Sequence, residues 1–176
     1  MHPKTELKRL SEKYNGKFTF EDSSVAGENM SNDFYSIYNL TLNHNNLNLH
    51  IVYNYGLSDT AEFKVEMSNH KNIPEFEIKT ISHLSKLLLF KNRNWFVKSS
   101  DVLFKSHISN LITSLNLDDL IKNSAFELNT IGKRSHNTYT IHTVFSLKFY
   151  KHTESAASII KFHLEVMDVI LKYSTH

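Results

Sequence analysis

Eleven histidines are the residues of this chain with the widest chemical repertoire. An imidazole can ligate a metal, carry a proton near neutral pH or activate a nucleophile. Metal sites draw two or more ligands together, commonly at a helical step on one face or across a tight turn. No two histidines here stand three or four residues apart. His44 and His50 flank an Asn-rich turn and His136 and His142 flank a second, so opposed strands could bring each pair together. Ordinary surface positions are the simpler expectation for all four, and no metal site is assigned. His163 differs, because it falls within an apolar helical face, where a buried imidazole needs partners for its ring nitrogens. A hydrogen-bonded core histidine is the expected outcome there, ahead of a proton carrier. Glu165 points away from that face and forms no acid–base pair with it.

The remaining chemistry thins out quickly. Glu75/Glu77 and Glu62/Glu66 alternate with apolar residues, as the outward faces of strands do, and Asp118-Asp119 suits a helix start. A working carboxylate dyad would need a cleft that perturbs its pKa values. The chain has no cysteine, which excludes disulfides, thiolate ligands, cysteine nucleophiles and the zinc deaminase pattern. Four glycines at 16, 27, 56 and 132 cannot form a phosphate-binding loop, and no serine has flanking glycines for a nucleophile elbow. No catalytic residue and no cofactor follow from these patterns.

Two basic clusters lie near loops: Lys91-Asn92-Arg93-Asn94-Trp95 and Gly132-Lys133-Arg134-Ser135-His136. An Arg beside an exposed Trp makes a good interface anchor. Arg93, Trp95, Lys133, Arg134 and His136 are therefore the candidate partner contacts. The plainer account, a core Trp beside a solvated turn, carries more weight.

The elements that would position these residues are legible from periodicity. Leu7, Leu10 and Tyr14 mark a short first helix that Thr5 can cap and Asn15-Gly16 can end, with the glycine left-handed. Phe18 and Phe20 alternate in a first strand, and a polar loop is expected over 22–33. Phe34, Tyr38, Leu40 and Leu42, then Leu47, Leu49, Ile51, Tyr53 and Tyr55, form a hairpin around Asn43-His44-Asn45-Asn46. Ala61, Phe63, Val65 and Met67 give a further strand, and Phe76 and Ile78 another. Ile81, Leu84, Leu87 and Leu88 look helical, Trp95-Phe96-Val97 extended, and a helix capped by Ser100 or Asp101 carries Leu103, Phe104, Ile108, Leu111, Ile112 and Leu115. A short turn at 117–121 follows, a strand over 125–131, a polar turn over 132–137 and a long strand over 138–149. In that last strand only Val144 breaks the polar phase. The chain closes with the broad apolar face of Ala156, Ile159, Ile160, His163, Val166, Met167, Ile170 and Tyr173, a helix covered on more than one side.

This order of residues resembles a family of small, uncharacterised bacterial α+β proteins. The likeness is one of layout. It runs from Glu75-Phe76-Glu77-Ile78 through Trp95-Phe96-Val97-Lys98-Ser99-Ser100-Asp101 and Asp119-Leu120-Ile121-Lys122 to the closing strand and Ile-rich helix. It implies a fold type and no activity.

The length of 176 residues suits one α+β domain spanning 1–176, with 40% hydrophobic and 22% charged residues. The expected architecture is antiparallel sheet with helices mainly on one face and a long C-terminal helix. Two similar halves, about 1–79 and 80–176, fit the layout too; the rival is a single curved sheet gripping the last helix. A net charge of +2 with scattered charges argues against nucleic acid. The apolar run Leu87-Leu88-Leu89-Phe90 is far too short to span a membrane, and the polar N-terminus is no secretory signal. A soluble, cytoplasmic protein is expected. Three functions remain, in this order: a non-catalytic protein-binding module with an unknown partner; a small-molecule-binding domain with an apolar pocket under the C-terminal helix; and an enzyme drawing on scattered groups such as His142 and His163.

Overall fold

The computed structural model describes residues 2–26, 32–68, 72–81, 94–122, 126–149 and 152–174. Helix α1 (Pro3–Lys13) begins two residues before Thr5, with His2 at its N-cap. Proline suits that first turn because it has no N–H to leave unpaired. At the other end Asn15, not Gly16, takes the left-handed conformation, with φ 53°. Gly16 answers a different need. A Cβ there would stand 2.4 Å from Leu42 Cδ2 and 2.7 Å from the Thr41 carbonyl, so the chain passes too close to β2 (Asn32–His44) for any side chain.

Strand β1 (Lys17–Ala26) pairs with β2 along its whole length, so β1 runs far into the stretch expected as a polar loop and β2 begins just inside its other end, at Asn32. β2 then turns into β3 (Leu47–Tyr55) through Asn45 and Asn46, at φ 51° and 65°. Two consecutive left-handed residues form the tight hairpin turn whose twist matches the strands, and Asn tolerates that conformation well. β4 (Thr60–Ser68), β5 (Phe76–Thr80) and β6 (Trp95–Ser99) follow. The helix expected around Leu84, Leu87 and Leu88 lies outside the described residues. Helix α2 (Val102–Ser114) is capped by Asp101, whose Oδ1 accepts the Phe104 N–H at 2.8 Å. Asn116 at φ 51° ends it and leads to the short α3 (Asp118–Lys122). β7 (Leu128–Ser135) continues through the segment expected as a turn, leaving only His136 and Asn137 between it and β8 (Thr138–Ser146). β8 stops three residues early, at Ser146, and α4 (His152–Ser174) closes the fold.

All eight described strands form one antiparallel sheet in the order β1-β2-β3-β4-β8-β7-β5-β6. The N-terminal meander and the C-terminal strands join where β4 pairs with β8. One row of the inner face reads Phe18, Leu40, Ile51, Phe63, Thr143, Thr130, Ile78 and Val97, from one edge to the other. Onto this face pack α1 through Leu7 and Leu10, α2 through Phe104, Ile108 and Ile112, and α4. Helix α4 lies between α1 and α2 and buries residues nearly all round, from Ala156 to Ile170. The chain is thus α+β, with the described helices on one side of the sheet.

Gly132 sits in that inner face because two aromatic side chains leave no room for more. A Cβ there would meet the Phe76 ring at 2.1 Å and the Tyr139 hydroxyl at 2.5 Å. Phe76 is itself held against Phe104, with ring centroids 5.0 Å apart. Gly132→Ala is expected to cost about 1–3 kcal/mol by overpacking, seen as a lower urea midpoint at unchanged slope. An unchanged midpoint would show that the Phe76 ring has space to move.

Candidate recognition surface

Histidine 163 is buried under α4, and its surroundings settle its protonation. Its Nδ1 lies 2.8 Å from the Ile159 carbonyl, which can only accept, so Nδ1 carries the proton. Nε2 lies 2.7 Å from Thr143 Oγ1. In the neutral ring Nε2 accepts, so the Thr143 hydroxyl donates to it. Thr143 Oγ1 then accepts from Thr130 Oγ1, 2.8 Å away. A directed chain runs from Thr130 through Thr143 and His163 to the Ile159 carbonyl, and no described member reaches water. Phe63 stacks on the imidazole at 4.5 Å and Phe162 meets it edge-on at 5.5 Å. Burial pushes the His163 pKa down to about 4, against the smaller upward pull of the Ile159 hydrogen bond. This is the chemistry of a core strut rather than of a proton carrier.

The candidate partner contacts do not form one patch. Arg93 lies outside the described residues. Trp95 turns inward: it is half-buried, its ring meets Phe126 edge-on at 6.4 Å, and its Nε1–H donates to Asp118 Oδ1 at 3.0 Å. Asn94 Nδ2 donates to the same oxygen at 2.9 Å. Lys133 is exposed on the outer face of β7. Arg134 points the other way, and its guanidinium binds the Ile73 carbonyl while its backbone N–H donates to Glu75 Oε1 at 3.1 Å. His136 stands at the hairpin tip with φ 49°. Through the pairing of β5 with β6 and β7, Trp95 sits level with the start of β7 and His136 beyond its end. At roughly 3.3 Å per residue Trp95 is about 25 Å from His136 and about 17 Å from Lys133 along the strands.

The histidine pairs separate for a similar reason. His44 lies on the helix side, where Nε2 meets Asp168 Oδ1 of α4 at 2.7 Å and Asn45 Nδ2 donates to the same oxygen. His50 lies on the outer face, where its Nδ1 is 3.3 Å from Thr41 Oγ1. His142 also faces outward and pairs with Glu62 Oε1 at 2.7 Å, six residues down the strand from His136. Among the described residues no three histidines or carboxylates are placed to hold a metal ion.

What the structure does assemble is the outer face of the sheet, which no described helix covers. One row across it reads Val52, Glu62, Val144, Asn129, Lys79 and Phe96. The next reads His50, Lys64, His142, Ile131, Glu77 and Lys98. Opposite charges offset each other within the face. Lys64 binds Glu66 at 2.9 Å, which holds the Glu66 carboxyl below the usual range, and Lys79 binds Glu77 at 3.0 Å. Between them stand Val144 and Ile131, and beyond them on the edge strand β6 stands Phe96, with 39%, 38% and 39% of their surface exposed. Val144 and Ile131 are diagonal cross-strand neighbours on this face. Lys79 Nζ lies 5.0 Å from the Phe96 ring centre. The sequence carried one signal of this surface, the valine that interrupts the polar phase of β8; Ile131 and Phe96 were hidden by uncertain strand bounds.

Three buried polar atoms have no hydrogen-bond partner among the described residues: the Tyr53 and Tyr55 hydroxyls and Asn54 Oδ1. The Tyr53 phenol is fully buried with no hydrogen-bond partner among the described residues, and burial raises its pKa. Its ring stacks on Tyr55 at 6.3 Å, and Tyr55 in turn packs on His152 in the first turn of α4.

No protein-family model, curated protein or solved structure matches the chain. Among the described residues, no helix is long and apolar enough to cross a membrane.

Proposed function

We propose that the protein is a non-catalytic binding module that recognises a protein partner through the outer face of its sheet. One observation carries this reading: all the described helices lie on the opposite face, while this one presents Val144, Ile131 and Phe96 among paired charges. Antiparallel sheets often leave one face in water, and such faces are normally polar. Val144 and Ile131 flanked by the Lys64–Glu66 and Lys79–Glu77 pairs, with Phe96 beyond them on the edge strand, instead give an apolar centre with a mostly polar rim, the composition of an interface. Basic residues at the margin, Lys133 on the same face and Lys98 in the same row, extend the rim.

The test is affinity capture from the native lysate with wild-type protein, an Ile131→Lys/Val144→Lys variant and Trp95→Phe. The outer-face variant is expected to lose a stoichiometric partner that the other two retain, with all three folded by circular dichroism. A partner held equally by the outer-face variant would overturn the assignment.

A second reading, a small molecule bound beneath the start of α4, draws on the unpartnered Tyr53 phenol. It requires a polar compound to co-purify in native mass spectrometry and to be lost on Tyr53→Phe. If none does, that substitution should leave stability unchanged or raise it by about 1 kcal/mol, since it removes only an unpaired hydroxyl.

A further inference from the structure

We propose that β1 is a self-complementary docking edge through which two copies of the chain join their sheets about a two-fold axis at Thr19. The sheet has two edges, β1 and β6. β6 is short, Trp95–Ser99. β1 runs from Lys17 to Ala26 in unbroken register with β2, with no proline and no bulge to interrupt it. Proline and bulges are two devices that blunt an edge; the charges that are a third, Lys17 and Glu21, stand here where they could pair across it. Among the described residues, the backbone of β1 pairs with β2 alone, so its outer side is open.

Over residues 17–21 the side chains along that edge are complementary to their own reverse. In an antiparallel pair centred on Thr19, Lys17 faces Glu21 of the second copy, Phe18 faces Phe20, and Glu21 faces Lys17. Residues directly opposite one another share a face, so the charged pairs fall on the outer face and the aromatic pairs on the helix side. Lys17 and Glu21 are exposed, and neither has an ion-pair partner among the described residues. They cannot reach each other within one strand, because four residues span about 13 Å. Phe20 is the matching apolar feature. It stacks on Phe18 at 6.2 Å yet leaves 49% of its surface exposed at the rim. Lys4 of α1 stands 3.2 Å above the Phe20 ring and binds Asp22 at 3.3 Å, bracing the edge from the helix side. This surface is separate from the outer face assigned above, and neither assignment depends on the other.

Sedimentation equilibrium over a range of concentrations tests the pairing. The wild type is expected to pass from monomer to dimer in the micromolar range, as a small interface would. Lys17→Glu and Glu21→Lys should each weaken the dimer about tenfold or more, since each sets like charges opposite one another twice. An equimolar mixture of the two variants should dimerise again, because each then supplies the charge the other lacks. The double variant Lys17→Glu/Glu21→Lys should dimerise like the wild type. Circular dichroism of each single variant confirms that an exposed charge swap has left the fold intact. A wild type that stays monomeric to about 1 mM overturns the proposal, as does a dimer indifferent to the swaps or a mixture that fails to recover.

Discussion

Acidification from pH 7 to pH 4 is expected to remove about 3 kcal/mol of folding stability through His163 alone. In the folded chain burial holds this imidazole neutral, with its pKa pushed down to about 4, whereas in the unfolded chain it regains its ordinary value of 6.5. The unfolded state therefore binds the extra proton first. Above pH 6.5 neither state is protonated and the full stability is present. As the pH falls from 6.5 towards 4 the unfolded state gains about 1.4 kcal/mol per pH unit, and the loss levels off once the folded state protonates too. Protonation in place would demand that Nε2 donate to Thr143, reversing a hydrogen bond inside a dry core. Urea unfolding of the wild type and His163→Gln across this range isolates the effect from the carboxylates, which both proteins share. The variant should be weaker near neutrality, and the gap should close on acidification. A gap that stays constant would mean that the imidazole is not held neutral.

The largest single loss should come from Phe63→Ala, at about 3–5 kcal/mol. Phe63 is fully buried at the centre of the inner row and touches three aromatic neighbours: Tyr53 at 6.0 Å, Phe145 at 5.5 Å and His163 at 4.5 Å. Its removal opens a cavity directly beside the imidazole. Water reaching that cavity would relieve the desolvation of His163 and move its pKa back towards 6.5. The acid dependence should then flatten even as stability at neutral pH falls. Phe63→Leu keeps most of the volume and should cost less than about 1.5 kcal/mol while retaining the dependence, so it serves if the alanine variant does not fold. A full acid dependence in a folded Phe63→Ala protein would show that the ring is not what keeps the imidazole dry.

Much of the architecture was open to inspection in the residues themselves. β4 alternates without a fault from Ala61 to Met67, because one face meets the core and the other meets water, and pattern alone shows that. The final helix was visible for the same reason at another period, and cover on more than one side followed from Phe162, Val169 and Leu171 widening the apolar stripe; Phe162 and Val169 are buried, while Leu171 is only half-buried. Asp101 and Asn116 marked helix ends correctly, since caps and left-handed positions are set by local backbone chemistry. Where tertiary pairing overrode local preference, the pattern misled. Lys133 and Arg134 look like turn residues but are carried in β7 by hydrogen bonding to β8. Asp22, Ser23 and Ser24 look like loop but are paired with β2. Trp95 offers no sequence cue to its direction, and only Asp118 and Phe126, both more than twenty residues away, turn it inward.

By itself, then, the sequence determined the class of object: an antiparallel sheet with helices on one face, a long buried closing helix and no catalytic motif. Those follow from composition and from periods of 2 and 3.6 residues, which are local quantities. Tertiary structure alone decided which strands lie side by side. It thereby set Thr130 against Thr143 under His163, placed Val144, Ile131 and Phe96 on the face that no described helix covers, and left β1 at the edge with β2 on one side only. Register is a long-range choice, fixed when the whole inner face closes on α4, and no window of sequence contains both strands of such a pair.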